Sequence, residues 1–462
     1  MDQTIATHPY LQGNYAPVPE TGEIELTVTG DMPHDLAGSL YRNGPNPQFA
    51  PRDANYHWFL GDGMVHGFHI EGGRVRYLNR WVRTPRWNAE HEAGRPLYGA
   101  WGNPATTDPS VAGIDGGVAN TAVVWHAGRL LALEEGHRPF ALDPATLEPR
   151  GYLDYADRFT AHPKIDPETG EMIFFAYSNT GPLSPGMAYG VVDATGRVMR
   201  YDRFQAPYCS MVHDFMVTRS HVMFPILPLT GSMARATGGK PAYAWEPEQG
   251  GRIGLMRRDA EISAIRWFTV DPCYVFHVMN AWDEGPTVVA DVMRYDAAPL
   301  FPLPDGRPGQ AAGARLVRWT FDLAGGTDAV RETPLDDMAG EFPRIDDRFA
   351  GLGNRHGFFA CDSQDRTARP YDGLSHIDHA TRRTVRHILP AGDAISEPVF
   401  VPRTADAAEG DGWLLAVAYR GAENRSDLLI YDALDIVAGP VATATLPVRV
   451  PFGFHGTWRP AA

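Results

Sequence analysis

Short apolar runs recur along this chain, each ended by a glycine or an Asp-Pro step and followed by another short run. Ile165 to Tyr177 reads as strand, turn, strand about Asp-Pro-Glu-Thr-Gly, and Tyr189 to Tyr201 repeats the pattern about Asp-Ala-Thr-Gly. His126 leads through Arg138 to Asp143 in the same way, and Trp413 to Tyr419 is followed by Asp427 to Ala433. β-Prone residues flanking Gly, Asp and Asn predict antiparallel hairpins. Many hairpins at loose spacing predict an all-β chain, and a β-propeller before a pair of β-sandwiches. Compact propeller repeats run to about 40–45 residues, and insertions lengthen them here. Residues 1–462 are therefore read as a single propeller domain.

Three stretches break the alternation. Ala89 to Ser110, Thr230 to Gly251 and Ala297 to Gly313 are rich in Gly, Pro and Ala. They are expected to be long loops that cap one face, because long loops without structure of their own are often functional lids. Thr404 to Gly412 reads as a solvated surface loop. Two polar motifs, Arg42-Asn-Gly-Pro-Asn-Pro and Gly61-Asp-Gly, are read as turns.

Composition narrows the function. The 48 glycines and 39 prolines fit a turn-rich fold, and 44% hydrophobic residues suffice for a large core. A net charge of −15 argues against a nucleic-acid partner. Three distant cysteines, Cys209, Cys273 and Cys361, do not form a disulfide framework and suit a reducing compartment. The N-terminus has neither a basic nor an apolar leader region, and no apolar run reaches the ~18 residues of a membrane span. A cytoplasmic location is expected, with peripheral membrane contact through the cap loops left open.

Among 17 histidines, four lie beside apolar or aromatic residues at expected strand ends. They are His162 in Thr-Ala-His-Pro-Lys, His213 in Met-Val-His-Asp-Phe, His277 in Phe-His-Val-Met-Asn and His455 in Phe-His-Gly-Thr-Trp. Neutral imidazole is the commonest metal ligand and suits iron, copper, zinc and nickel. Ligands this far apart must be gathered by the fold as a whole. The remaining histidines, such as His126, His376 and His379, read as ordinary polar or turn residues.

Several of these segments together carry a resemblance. Gly38-Ser-Leu-Tyr-Arg-Asn-Gly-Pro, His57-Trp-Phe-Leu-Gly-Asp-Gly-Met-Val-His, Ala119-Asn-Thr, Ala161-His-Pro-Lys, Phe276-His-Val-Met-Asn-Ala, Glu341-Phe-Pro-Arg-Ile, Glu397-Pro-Val-Phe-Val-Pro-Arg and Phe454-His-Gly-Thr-Trp occur in order. In this the chain resembles the carotenoid cleavage oxygenase family, which includes the lignostilbene dioxygenases. The resemblance implies a seven-bladed propeller, with loops and short helices as a cap, and one Fe(II) held by His162, His213, His277 and His455. It implies that Glu135, Glu341 and Glu397 support the imidazoles. Thr121 would crowd one side of the metal, and Phe59, Trp101 and Glu134 would line the substrate path.

The expected reaction is oxidative cleavage by O2 of a conjugated double bond in a carotenoid or apocarotenoid, giving two carbonyl products. A stilbene or alkenylphenol is the alternative substrate, and a non-catalytic binding propeller is the remote one. Trp101 and Glu134 stand where the lignostilbene branch usually carries Tyr and Lys, so the polyene reading comes first. No Gly-x-Gly-x-x-Gly or Cys-x-x-Cys-His motif is present, so no organic cofactor is expected.

Overall fold

The computed structural model describes residues 8–52, 56–99, 106–310, 313–364 and 370–461. Strands dominate them, and they assemble into the seven blades of a β-propeller, together with one two-stranded ribbon. The chain divides into two compact units. One comprises residues 1–157, 389–403 and 413–462, and the other residues 158–388 and 404–412.

In the second unit the blades follow simple sequential order. Lys164–Ile165, Met172–Tyr177, Gly186–Val192 and Val198–Gln205 form the first, and three more four-stranded antiparallel sheets follow. Turn chemistry explains the hairpins. Between Ile165 and Met172, Asp166 Oδ1 accepts from the amides of Glu168 and Thr169, and Gly170 takes φ +69° to close the turn. The strand faces pack into apolar clusters, one built around Trp319, Phe268, Tyr274 and Phe359, all essentially inaccessible to solvent.

The first unit holds three blades, two of which join chain ends. Gly456–Pro460 pairs with Gly38–Pro45, and Thr27–Gly30 pairs with Ala442–Thr445. Such pairing ties both ends of the chain into sheets through backbone hydrogen bonds. It also sets the C-terminal strand, which His455 immediately precedes, against a strand from the start of the chain.

Three expectations change. Arg42-Asn-Gly-Pro is not a turn but the buried end of the Gly38–Pro45 strand. Tertiary contacts override its turn propensity: Asn43 Nδ2 donates to the carbonyls of Ala119 (2.8 Å) and Ala122 (3.0 Å). Gly44 lies so close to Gly453 that a Cβ would stand 2.7 Å from its Cα. The stretch from Thr230 to Gly251 is not a bare loop. Leu229–Gly231 and Tyr243–Trp245 pair around a short helix, Met233–Thr237, with Arg235 donating to the Thr230 carbonyl and to Glu246. Gly61-Asp-Gly does not close a hairpin; it leads from the Trp58–Leu60 turn into the Gly63–Glu71 strand.

The close approach at Gly44 makes a prediction. Gly44→Ala should lower stability by about 1–3 kcal/mol in chemical denaturation, since a methyl there must displace backbone. Gly22→Ala, whose Cβ would meet nothing within 4 Å, should shift it by less than ~0.5 kcal/mol.

Candidate metal centre

In the second unit, the histidine-bearing segments end at or just before the first strands of successive blades. His162 precedes Lys164–Ile165, His213 precedes Met216–Val217, and His277 lies within Tyr274–Glu284. The ladder slips at His277: Val275 pairs with Arg294 and Val278 with Val292, so two residues oppose one. A bulge of this kind re-aims a side chain. Glu341 stands at a second slip, and the following Phe342 adopts φ +55° while fully buried and stacked on the His277 ring. A positive φ at a buried aromatic residue is costly backbone, held here by its surroundings.

The imidazoles converge. His162 Nε2 lies 3.0 Å from His213 Nε2, which lies 3.3 Å from His277 Nε2. The His277 Nδ1 proton is directed at Glu341, whose carboxylate also accepts from the Phe342 amide at 2.8 Å. A carboxylate accepts only, so the proton sits on Nδ1 and Nε2 presents a lone pair. Three ring nitrogens packed this closely cannot all be satisfied by one another's protons. A cation between them satisfies all three. Metal–nitrogen bonds of about 2.1 Å set neighbouring nitrogens roughly 3.0 Å apart at a right angle and 3.4 Å apart at the tetrahedral angle. The observed spacings fall in that window, so the residues fit a metal ion.

Two residues absent from the expected site tie these segments together. Asp214 is buried; its Oδ1 pairs with Lys164 Nζ at 2.7 Å and accepts from the Phe215 amide, while Oδ2 accepts from the Val278 amide at 2.9 Å. One carboxylate thus links the chain beside His162, His213 and His277. The sequence signal was adjacency alone: Asp214 follows one histidine, and Lys164 lies two residues after another.

In the first unit the same pairing recurs. His455 Nδ1 meets Glu397 Oε1 at 2.8 Å, and Glu397 Oε2 accepts from the Gly456 amide at 2.7 Å. The Thr121 carbonyl accepts from the His455 amide, and the Thr121 hydroxyl donates to Asn120 Oδ1. Phe59 packs edge-on against Phe454 with ring centres 5.5 Å apart, so it adjoins the His455 segment. Arg42, misread as part of a turn, is buried near Glu397; burial pushes its guanidinium down to about 10, and the carboxylate opposes this.

The remaining expected residues are less tightly gathered. Glu134 Oε1 accepts from the Val118 amide at 2.7 Å and stands 2.9 Å from His137 Nδ1. Glu135 follows it in the turn after Arg129–Leu133 and is half-buried. Trp101 lies outside the described residues.

A β-propeller bearing clustered, carboxylate-supported histidines has the donor set of a metal-binding protein. The family model described as retinal pigment epithelial membrane protein, RPE65, matches residues 15–460. The chain belongs to that family, the carotenoid cleavage oxygenases expected from the sequence, which are non-haem iron enzymes. It is 41% identical to an isoeugenol monooxygenase from Pseudomonas nitroreducens, over 98% of both chains. It is 36% identical to lignostilbene-α,β-dioxygenase isozyme III of Sphingomonas paucimobilis, covering 98% of this chain and 97% of that one. A solved lignostilbene dioxygenase from Pseudomonas brassicacearum superposes with a TM-score of 0.94 at 35% identity, covering 98% of this chain and 99% of that one. A Synechocystis apocarotenoid oxygenase mutant gives 0.86 at 28% identity, covering 97% and 98% respectively.

Glu341→Gln tests the carboxylate's part. The amide keeps the shape and loses the charge, so metal affinity measured by titration should fall about 10–100-fold. Unchanged affinity would assign Glu341 to backbone support at Phe342 alone.

Proposed function

We propose that this protein is a non-haem iron(II) dioxygenase that cleaves a conjugated carbon–carbon double bond with O2 into two carbonyl products. The observation that carries the reading is the packing of three Nε2 atoms at 3.0 and 3.3 Å, one of them backed by a buried carboxylate. His455, backed by Glu397, is taken as the fourth ligand. One ferrous ion per chain supplies the redox chemistry with dioxygen.

The protein's own residues do the rest. Glu341 and Glu397 hold protons on Nδ1 and so keep Nε2 free to bind metal. Glu135 is assigned the same task for another imidazole. Thr121, its hydroxyl occupied by Asn120, offers a methyl that crowds one approach to the metal. Phe59 and Trp101 give flat apolar surface to a conjugated substrate. Glu134, already held by Val118 and His137, faces the polar end. No reductant or organic cofactor takes part, and the enzyme is cytoplasmic in this reading.

Two substrate classes fit. The polyene reading rests on the departures at Trp101 and Glu134. A hydroxylated aryl alkene is favoured by the relatives, since the 41% match is an isoeugenol monooxygenase, whereas the carotenoid cleavage oxygenase of Mycobacterium tuberculosis matches at 34%. The test is a paired assay with iron content and oxygen uptake. Iron-loaded protein should convert isoeugenol or a 4-hydroxystilbene to two carbonyl products faster than an apocarotenal. The reverse preference would restore the polyene, and absence of iron together with no turnover would remove the oxygenase reading.

A ligand substitution gives a second prediction. His277→Ala should lose both bound iron and turnover. Normal iron content with full activity in that variant would sink the ligand assignment.

A further inference from the structure

One buried residue of the first unit ties together the two segments that carry His455 and Thr121. Asn43 lies near the end of the Gly38–Pro45 strand and is inaccessible to solvent. Each polar atom of its side chain has a partner. Nδ2 donates to the carbonyls of Ala119 at 2.8 Å and Ala122 at 3.0 Å, and Oδ1 accepts from the Gly44 amide at 2.9 Å. Two donors and an acceptor on so short a stem describe asparagine: aspartate accepts only, and serine offers one donor.

The backbone of the same residue closes a circuit. The Asn43 amide donates to the His455 carbonyl at 3.0 Å, and the Phe454 amide donates to the Asn43 carbonyl at 2.9 Å. The His455 amide donates to the Thr121 carbonyl at 3.1 Å. Thr121 lies between the two residues that the Asn43 side chain holds. The circuit therefore runs from the Asn43 side chain to residues 119–122, on to His455, and back to the Asn43 backbone.

This circuit has little slack. A Cβ at Gly453 would stand 2.8 Å from the Asn43 carbonyl oxygen, and one at Gly456 would stand 2.5 Å from that of Tyr41. Both sides of Phe454-His455 thus lie tight against the strand. Ala119 takes φ +48° while buried. Such backbone is costly for a residue with a Cβ and persists only where its surroundings fix it. The Asn43 bond to the Ala119 carbonyl is one of those ties. An apolar side chain at position 43 would keep the backbone bonds to residues 454 and 455 but release residues 119–122.

We propose that Asn43 is a positioning residue of the metal centre, holding the Thr121 methyl and the His455 ring at one fixed spacing. This role rests on the assignment of His455 as a ligand and of Thr121 beside the metal. A ligand held in place binds without further ordering, so loosening the circuit lowers metal affinity and changes the coordination geometry.

Cobalt(II) is the probe, because its visible absorption reports coordination geometry and no turnover is needed. Asn43→Ser keeps at most one donor and buries no charge, and its cobalt(II) affinity should fall about 3–10-fold, with a changed visible spectrum. Asn79→Ser is the matched control. Asn79 is equally buried in the same unit but holds another segment, donating to the Pro19 carbonyl and accepting from the Thr21 amide. That variant should lose stability and keep the wild-type affinity and spectrum. A second measurement needs no variant. If the circuit favours metal binding, metal binding must stabilise the circuit to the same degree. Cobalt(II) added to the wild type should slow hydrogen exchange at the Thr121 and Ala122 amides several-fold and leave the Thr21 amide unchanged. Wild-type affinity and spectrum in folded Asn43→Ser overturn the proposal. So does an equal effect of Asn79→Ser, which marks a general loss of stability, and so does exchange at Thr121 and Ala122 that ignores cobalt(II). If the wild type binds no cobalt(II), the metal reading falls and this role with it. If it binds and the Asn43 circuit does not respond, the metal reading stands and this role alone falls.

Discussion

Three imidazole nitrogens joined by two contacts of 3.0 and 3.3 Å, with His213 in the middle, are the constraint from which the rest of the site follows. Each must present a lone pair to the same point, so each ring must be held in one tautomer and one orientation. A ring free to flip would turn a proton into the cluster. The carboxylate behind His277 removes that freedom for its ring, and Glu397 does the same for His455 in the first unit. Both also accept a neighbouring amide, from Phe342 and Gly456, so each is anchored to the backbone beside it. A buried carboxylate with two acceptor duties is held in one orientation.

Aim alone does not bring separate blades into register. Asp214 does this within the second unit by reaching Lys164 and the Val278 amide while following His213 directly. The ladder is irregular where the aiming occurs, at His277 and at Glu341, and Phe342 is held at positive φ between them. Regular pairing elsewhere in these blades, as between Gly357–Cys361 and Gly373–Ile377, supports the local strain. Irregular backbone at the site and regular ladders around it are two parts of one solution.

What could be read from the sequence follows the range of the forces involved. Hairpins with Asp, Gly and Asn turns were legible because their chemistry is local, as at Asp166 and Gly170. The four histidines stood out by their apolar neighbours, and Glu341 and Glu397 by a family resemblance. The Gly38–Pro45 strand was not legible, since Asn43 and Gly44 look like turn formers until carbonyls and a glycine from distant segments meet them. The ribbon after Leu229 was hidden for a similar reason: Arg235 and Glu246 organise a stretch whose composition suggests a loop. Asp214 and Lys164 lay in the histidine segments, but their pairing was not legible, because an ion pair between segments leaves no periodic signal.

Glu134 shows how a substitution read in isolation misleads about substrate. A free carboxylate in an apolar path would be costly to desolvate and would argue against a phenolate beside it. Here Glu134 is not free: one oxygen takes the Val118 amide and lies next to His137. Its charge is already partly compensated before any substrate arrives, so its presence weighs less against an aryl alkene than the sequence alone suggested. A polar group that needs a hydrogen-bond donor from the substrate must instead lack one from the protein. Glu134 Oε1 does not meet that condition. On that criterion, Glu134 is not poised to select a substrate hydroxyl.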